Sequence, residues 1–145
     1  MKNIVIVGRP NTGKSTLFNG LTNTRDALVH DRPGVTRDVI SGKIPNRPWN
    51  VFDTAGLENT KSGIGYDSTN MAVQTLEKAD AILFVVDGRN GLTPMDIEWA
   101  KLVHRKSKAP ALLLINKTES AKRLSDTSDF YKLGFVKTAF VFCRY

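Results

Sequence analysis

At 145 residues, with 41% hydrophobic and 24% charged positions, the chain has the make-up of one soluble domain built around one core. No apolar run nears the roughly 18 residues that span a bilayer, and the first residues are too short for a signal-peptide core. The sole cysteine, Cys143, rules out an internal disulfide and fits a reducing cytoplasm. The net charge of +7 is lopsided: residues 1–100 hold 11 Lys/Arg and 11 Asp/Glu, residues 101–145 hold 10 and 3. Lys101, Arg105, Lys106 and Lys108 form one cluster, Lys122 and Arg123 another. Such a basic third suits either contact with nucleic acid or a solvated helix face.

From the amino terminus, Asn3–Val7 reads as a strand and Lys14–Leu21 as a helix. Between them, Gly8-Arg9-Pro10-Asn11-Thr12-Gly13-Lys14-Ser15 matches G-x-x-x-x-G-K-[ST] in the strand–loop–helix setting that makes it a phosphate cradle. Backbone N–H groups and the helix N-terminus face one concavity suited to a di- or triphosphate. Lys14 is expected to reach the β- and γ-phosphates, and the Ser15 hydroxyl to ligate Mg²⁺. The polar segment Asp31–Asp38 follows, with a turn signal at Pro33-Gly34. Its Thr36 is placed to be the second Mg²⁺ ligand when a γ-phosphate is present. Val39–Ile44 and Trp49–Asp53 are the next strands. Asp53-Thr54-Ala55-Gly56 ends the second of them, 38 residues beyond Ser15. Asp53 is expected to hold Mg²⁺ through water, and the Gly56 N–H to sense the γ-phosphate.

Asp67–Lys78 reads as a helix and Ala81–Asp87 as a continuously apolar central strand. Pro94–Arg105 reads as a helix opened by Thr93 as N-cap, Pro94 at the first position and Asp96 in the acidic first turn. Met95, Trp99, Leu102 and Val103 make its apolar face, which puts Trp99 in the core; Trp49 is also read as packing. His30 and His104 lack metal-ligand spacing and are read as structural, with His30 in a loop close to the nucleotide. Pro110–Asn116 is a second central strand, Ser125–Lys132 a helix, and Ala139–Phe142 the remaining strand candidate. Strands alternating with helices predict an α/β fold with a mostly parallel sheet and helices on both faces. Asn116-Lys117-Thr118-Glu119 lies at the carboxyl edge, where such sheets bind ligands. A carboxylate there can accept hydrogen bonds from guanine N1–H and its 2-amino group, a donor pair that adenine lacks.

Together these motifs resemble the translation-factor-class GTPases, and among them the first GTPase domain of the Der (EngA) family. The likeness is carried by Val5–Asn11 through Phe18-Asn19, Arg25–Val29, Pro33–Asp38, Asp53–Gly56 and Ala79–Asp96, with Val85-Val86-Asp87-Gly88-Arg89-Asn90-Gly91-Leu92-Thr93-Pro94 at its centre. The resemblance implies a P-loop, Ras-like fold, GTP and GDP as ligands, GTP hydrolysis with Mg²⁺, and a part in assembly of the large ribosomal subunit, with that subunit or its rRNA as partner. Full-length relatives carry two tandem GTPase domains and a KH-like domain; residues 1–145 correspond to the first GTPase domain alone. The resemblance further implies that Asn11 ligates K⁺ near the α- and γ-phosphates, where a cation stabilises building charge. Leu57 stands where Ras-like proteins have the glutamine that orients the attacking water, which leucine cannot do. The expected nucleotide-contacting set is Gly8, Arg9, Pro10, Asn11, Thr12, Gly13, Lys14, Ser15, Thr16, Asp53, Thr54, Ala55, Gly56, Leu57, Asn116, Lys117, Thr118 and Glu119. Lys14, Thr36, Gly56 and Asn11 are its expected catalytic members.

Three features depart from the family's pattern. Arg32 stands where relatives have a small polar residue before Pro-Gly. Glu119 replaces an aspartate and is one methylene longer. Hydrogen bonds to a charged group are worth about 1.5–3 kcal/mol, so a misplaced pair predicts a weakened but retained guanine preference. After Gly134 the sequence shows neither the expected Ser-Ala turn nor the final helix, and Ser120-Ala121 falls a strand too early. A missing last helix predicts an incomplete, marginally stable domain. Three readings stay open: a K⁺-assisted GTPase, a nucleotide-binding remnant with little turnover, and an RNA- or ribosome-binding module using the basic C-terminal third.

Overall fold

The computed structural model describes residues 1–23, 39–54, 66–116 and 124–141, the side chains of 66–69 and 124–128 excepted. The expectations for His30, Arg32, Thr36, Ala55, Gly56, Leu57, Lys117, Thr118, Glu119 and Ser120-Ala121 lie outside the described residues. The elements are β1 (Lys2–Val7), α1 (Lys14–Thr22), β2 (Ile40–Lys43), β3 (Trp49–Asp53), α2 (Tyr66–Glu77), β4 (Ala81–Asp87), α3 (Pro94–Lys106), β5 (Ala111–Asn116), a 3₁₀ helix (Leu124–Leu133) and β6 (Lys137–Val141). From β1 to β5 each agrees with the sequence reading to within one residue at either end.

The six strands form one sheet in the order β2-β3-β1-β4-β5-β6. Every pairing is parallel except that of β2 with β3. This is the predicted α/β arrangement, and its cause is visible in the runs themselves. Ile4–Val7, Ile82–Val86 and Leu113–Ile115 are apolar on successive residues, so both faces of the central strands must be covered. One face packs on α2, α3 and the 3₁₀ helix through Val5, Val7, Leu76, Phe84, Trp99 and Phe130. The other packs on α1 through Ile6, Phe18, Val51, Val85 and Leu114. Trp99 is fully buried, as its helical spacing predicts. His104 is structural as read: its Nε2 lies 2.7 Å from the Leu133 carbonyl and its ring stacks on Phe135.

Three expectations need correction. The segment read as a helix over Ser125–Lys132 is a 3₁₀ helix. The residue types Ser125, Asp126, Thr127, Ser128 and Asp129 in succession have low α-helix propensity. The tighter coil stacks Phe130 and Leu133, three residues apart, into the core. The last strand starts two residues earlier than Ala139 and pairs Leu112 with Lys137 through Asn116 with Val141. Trp49, read as packing, is 39% exposed. It sits where the chain leaves the β2–β3 turn, and its carbonyl accepts the Ile44 N–H at 3.0 Å, so its backbone rather than its ring closes that turn.

Candidate functional site

The parallel strands bring the ends of β1, β3, β4 and β5 to one edge of the sheet, and every described site residue sits there. Directly after β1 the chain takes positive φ at Gly8 (153°), Asn11 (65°) and Gly13 (101°). These turns curl the loop over residues 8–13 into the nest that precedes α1. Only glycine fits at position 8: a Cβ there would stand 2.4 Å from the Val85 carbonyl oxygen on neighbouring β4. The loop is thus pressed against the middle of the sheet. Gly13 caps α1 in the left-handed conformation with no side-chain cap, which leaves the helix's first N–H groups facing the loop.

Inside this nest the Lys14 side chain is buried, and its ammonium donates to the Arg9 carbonyl at 2.6 Å. The Thr12 hydroxyl donates to the same carbonyl at 3.2 Å. The Ser15 hydroxyl lies 3.2 Å from Asp53 Oδ2. That sets two hard oxygen donors side by side, the donor chemistry that suits Mg²⁺. Among the described residues no cluster of three His, Cys, Asp or Glu is placed to hold a metal. Thr54 follows Asp53 and is fixed to β1 by its hydroxyl, which donates to the Ile6 carbonyl at 2.8 Å. Asn116, fully buried at the end of β5, donates from its side-chain amide to the Thr12 carbonyl at 2.9 Å. Its own carbonyl accepts the Gly88 N–H at 2.7 Å. Gly8–Thr16, Asp53, Thr54 and Asn116 are therefore together at this edge.

Two contacts of the loop carry no signal of their own in the sequence. One is the approach of Gly8 to Val85. The other is an ion pair between Arg9 Nε and Asp96 Oδ1 at 3.4 Å. Thr93 is the expected N-cap of α3 with Pro94 beside it, and Asp96, expected in the acidic first turn, closes a capping box with Thr93. The N-cap and the acidic first turn were legible in the sequence; that the Asp96 carboxylate also faces the phosphate loop was not. Asp96 has no exposed side-chain surface. Burial pushes its carboxyl above the ordinary value of 3.8, against the pull of hydrogen bonds from Thr93 and the charge of Arg9, and Asp87 nearby pushes the same way as burial.

The comparisons agree with this geometry. The family model for 50S ribosome-binding GTPases matches residues 3–117. GTPase Der of Burkholderia mallei is 49% identical over 134 residues, covering 90% of this chain and 30% of that protein. The chain thus spans about a third of the length of that curated relative. Among solved structures, Era in complex with MgGDPNP and nucleotides 1506–1542 of 16S ribosomal RNA matches with a TM-score of 0.73 and 28% identity, over 98% of this chain and 51% of that one. NFeoB from S. thermophilus bound to GDP·AlF₄⁻ and K⁺ matches with a TM-score of 0.73 and 26% identity, over 99% of this chain and 56% of that one. The six-stranded sheet is accordingly a P-loop GTPase fold, and the chain belongs to the family of 50S ribosome-binding GTPases.

Proposed function

We propose that the chain binds GDP and GTP with Mg²⁺ and hydrolyses GTP, faster in K⁺ than in Na⁺, in the service of large ribosomal subunit assembly. The observation that carries this reading is the buried Lys14 ammonium held inside a loop of positive-φ residues, beside the Ser15–Asp53 pair. The loop amides and the α1 N-terminus would hold the phosphates, Lys14 the β- and γ-phosphates, and Asn116 the loop beneath them. Bound Mg²⁺ would neutralise charge on the phosphate oxygens. Thr36, Gly56, Lys117, Thr118 and Glu119 complete the proposal from the sequence. Leu57 cannot orient water, so charge stabilisation must come from elsewhere. Asn11, exposed at the apex of the loop, is the residue proposed to hold K⁺, and the NFeoB relative was solved with that ion.

A formed phosphate loop favours turnover over an inert remnant. For the partner, Lys101, Arg105, Lys106, Lys108, Lys132 and Lys137 are all exposed, which supports an rRNA-facing surface, and the Era relative was solved with ribosomal RNA. Titration of the purified chain with fluorescent GDP in Mg²⁺, competed by GTP and ATP, tests the site. GTP should displace the probe and ATP should not. Single-turnover GTP hydrolysis in K⁺ and Na⁺ at matched ionic strength tests the chemistry, and equal rates would refute the role of Asn11. Binding to rRNA that does not weaken with salt would refute the basic surface as its contact.

A further inference from the structure

We propose that Asp96 is a positioning residue for the lysine that grips phosphate: through the Arg9 side chain it holds the stretch of loop whose carbonyl fixes the Lys14 ammonium. This rests on the reading of residues 8–15 as a nucleotide-phosphate site. Two contacts in series, both through Arg9, connect the two residues, and a cap contact holds the carboxylate's other oxygen. Asp96 Oδ2 is committed to the helix cap, accepting from the Thr93 N–H at 2.9 Å and the Thr93 hydroxyl at 3.0 Å. Its other oxygen, Oδ1, faces Arg9 Nε at 3.4 Å. The Arg9 carbonyl in turn receives the Lys14 ammonium at 2.6 Å.

Among the described residues the contact between Asp96 and Arg9 is exclusive. Asp96 Oδ1 and the Nε and Nη2 of Arg9 are buried without a hydrogen-bond partner among the described residues. The remaining guanidinium contact, Nη1 to the Pro10 carbonyl at 3.4 Å, stays within the loop. Each buried charge therefore has the other as its ionic partner, and removing either strands the other. The pair also joins segments 87 residues apart, whereas the contacts between Arg9, Thr12 and Lys14 are all internal to the loop and cannot fix it to the rest of the molecule. An arginine that is no longer held lets its own peptide carbonyl move, and the ammonium bonded to that carbonyl moves with it. A plain capping role would stop at Thr93, and an asparagine at position 96 would supply the same acceptor there.

The affinity of the purified chain for GDP and for GMP, each by competition against fluorescent GDP in Mg²⁺, separates these roles. Only GDP offers Lys14 a β-phosphate, so the ratio of the two affinities reports the grip of that lysine. Asp96→Asn should lower the ratio about tenfold, the scale of a weakened hydrogen bond to a charged group, with GMP affinity kept within about twofold, and Arg9→Gln should lower the ratio about as far. The double variant should go no lower than the singles. Arg9→Gln leaves the helix cap untouched and stands in should Asp96→Asn fail to fold. An unchanged ratio, an equal loss for GDP and GMP, or a double variant at the product of the singles would overturn the proposal. A wild-type chain that takes up neither nucleotide, or a Lys14→Ala variant that binds GDP as wild type does, would refute instead the phosphate-site reading beneath it.

Discussion

Gly8→Ala and Gly20→Ala make the same chemical change 12 residues apart and should move stability in opposite directions. At Gly8 the backbone has φ of 153° and an added Cβ would stand 2.4 Å from the Val85 carbonyl oxygen. Val85 has no exposed surface and is paired with Leu114 in the ladder to β5, so it has nowhere to retreat. Backbone strain of this kind costs about 1–3 kcal/mol, and forcing atoms into a filled core costs about 1–3 kcal/mol more. The total, about 2–6 kcal/mol, is a large part of the roughly 5–15 kcal/mol that holds a domain together. It should lower the melting temperature on the order of 10 °C. Gly20 lies inside α1 on the exposed side, and a Cβ added there would meet nothing within 4 Å. Alanine there should add about 0.5–1 kcal/mol by restricting the unfolded chain and suiting the helix. Thermal melts of the nucleotide-free variants, checked by urea denaturation, read both signs. Gly8→Ala melting with the wild type, or the two variants shifting the same way, would refute the close approach of the loop to β4.

Phe18→Ala should cost about 3–5 kcal/mol in urea denaturation by opening a cavity under α1. Gly42→Ala should also destabilise, because its Cβ would meet Phe18 Cζ and Thr22 Cγ2 at 2.9 Å each; combined with Phe18→Ala it should cost less than the sum, since the new methyl fills part of the cavity. Thr93→Ala removes the α3 capping box and should cost about 0.5–2 kcal/mol. The Asp96 carboxyl is raised above 3.8 by burial, so the folded state holds its proton at pH values where the unfolded chain has released it. The stabilisation this brings is full below pH 3.8 and is lost as pH rises through the folded value. Stability of the wild type relative to Asp96→Asn should therefore fall with rising pH across that window, and a difference that is flat or rises would refute it.

The central strands and the phosphate loop were legible because their signals are local. Ala81–Asp87 and Ala111–Asn116 are unbroken apolar runs, and the loop's glycines fall where the backbone turns to positive φ. Asn116 was recognised from its four-residue motif, although what it does here is bond a carbonyl 104 residues away. What escaped the sequence is non-local or cooperative. Over Leu124–Leu133 the run of Ser, Asp and Thr lowers α-helix propensity, which periodicity ignores, and the segment is 3₁₀. Trp49 has the composition of a core residue, but its place at a strand's first position leaves its ring at the surface. Arg9 and Asp96 are each explained locally, as a loop residue and a helix cap, and nothing in either neighbourhood announces that they meet.

The phosphate loop is anchored to the interior from three directions. Gly8 abuts Val85 on β4, the Thr12 carbonyl is held by Asn116 on β5, and Arg9 faces Asp96 on α3. A loop fixed in this way does not have to be ordered when a ligand arrives, so contact energy with the phosphates is spared that entropic loss. Phe18 supports the fold by apolar packing under α1 with Ile6, Val51, Val85 and Leu114, and makes none of these three contacts itself. The two kinds of support should separate in the nucleotide-dependent rise in stability, which for a ligand at a hundred times its Kd is about 2.7 kcal/mol. Phe18→Ala should lower the ligand-free stability and, where the chain still folds, keep most of that increment. Asp96→Asn should lose the increment out of proportion to its loss of ligand-free stability, because the severed contact is one that holds the cradle itself. An increment that follows ligand-free stability through both variants would mean that the loop is held by the fold at large and not by its three anchors.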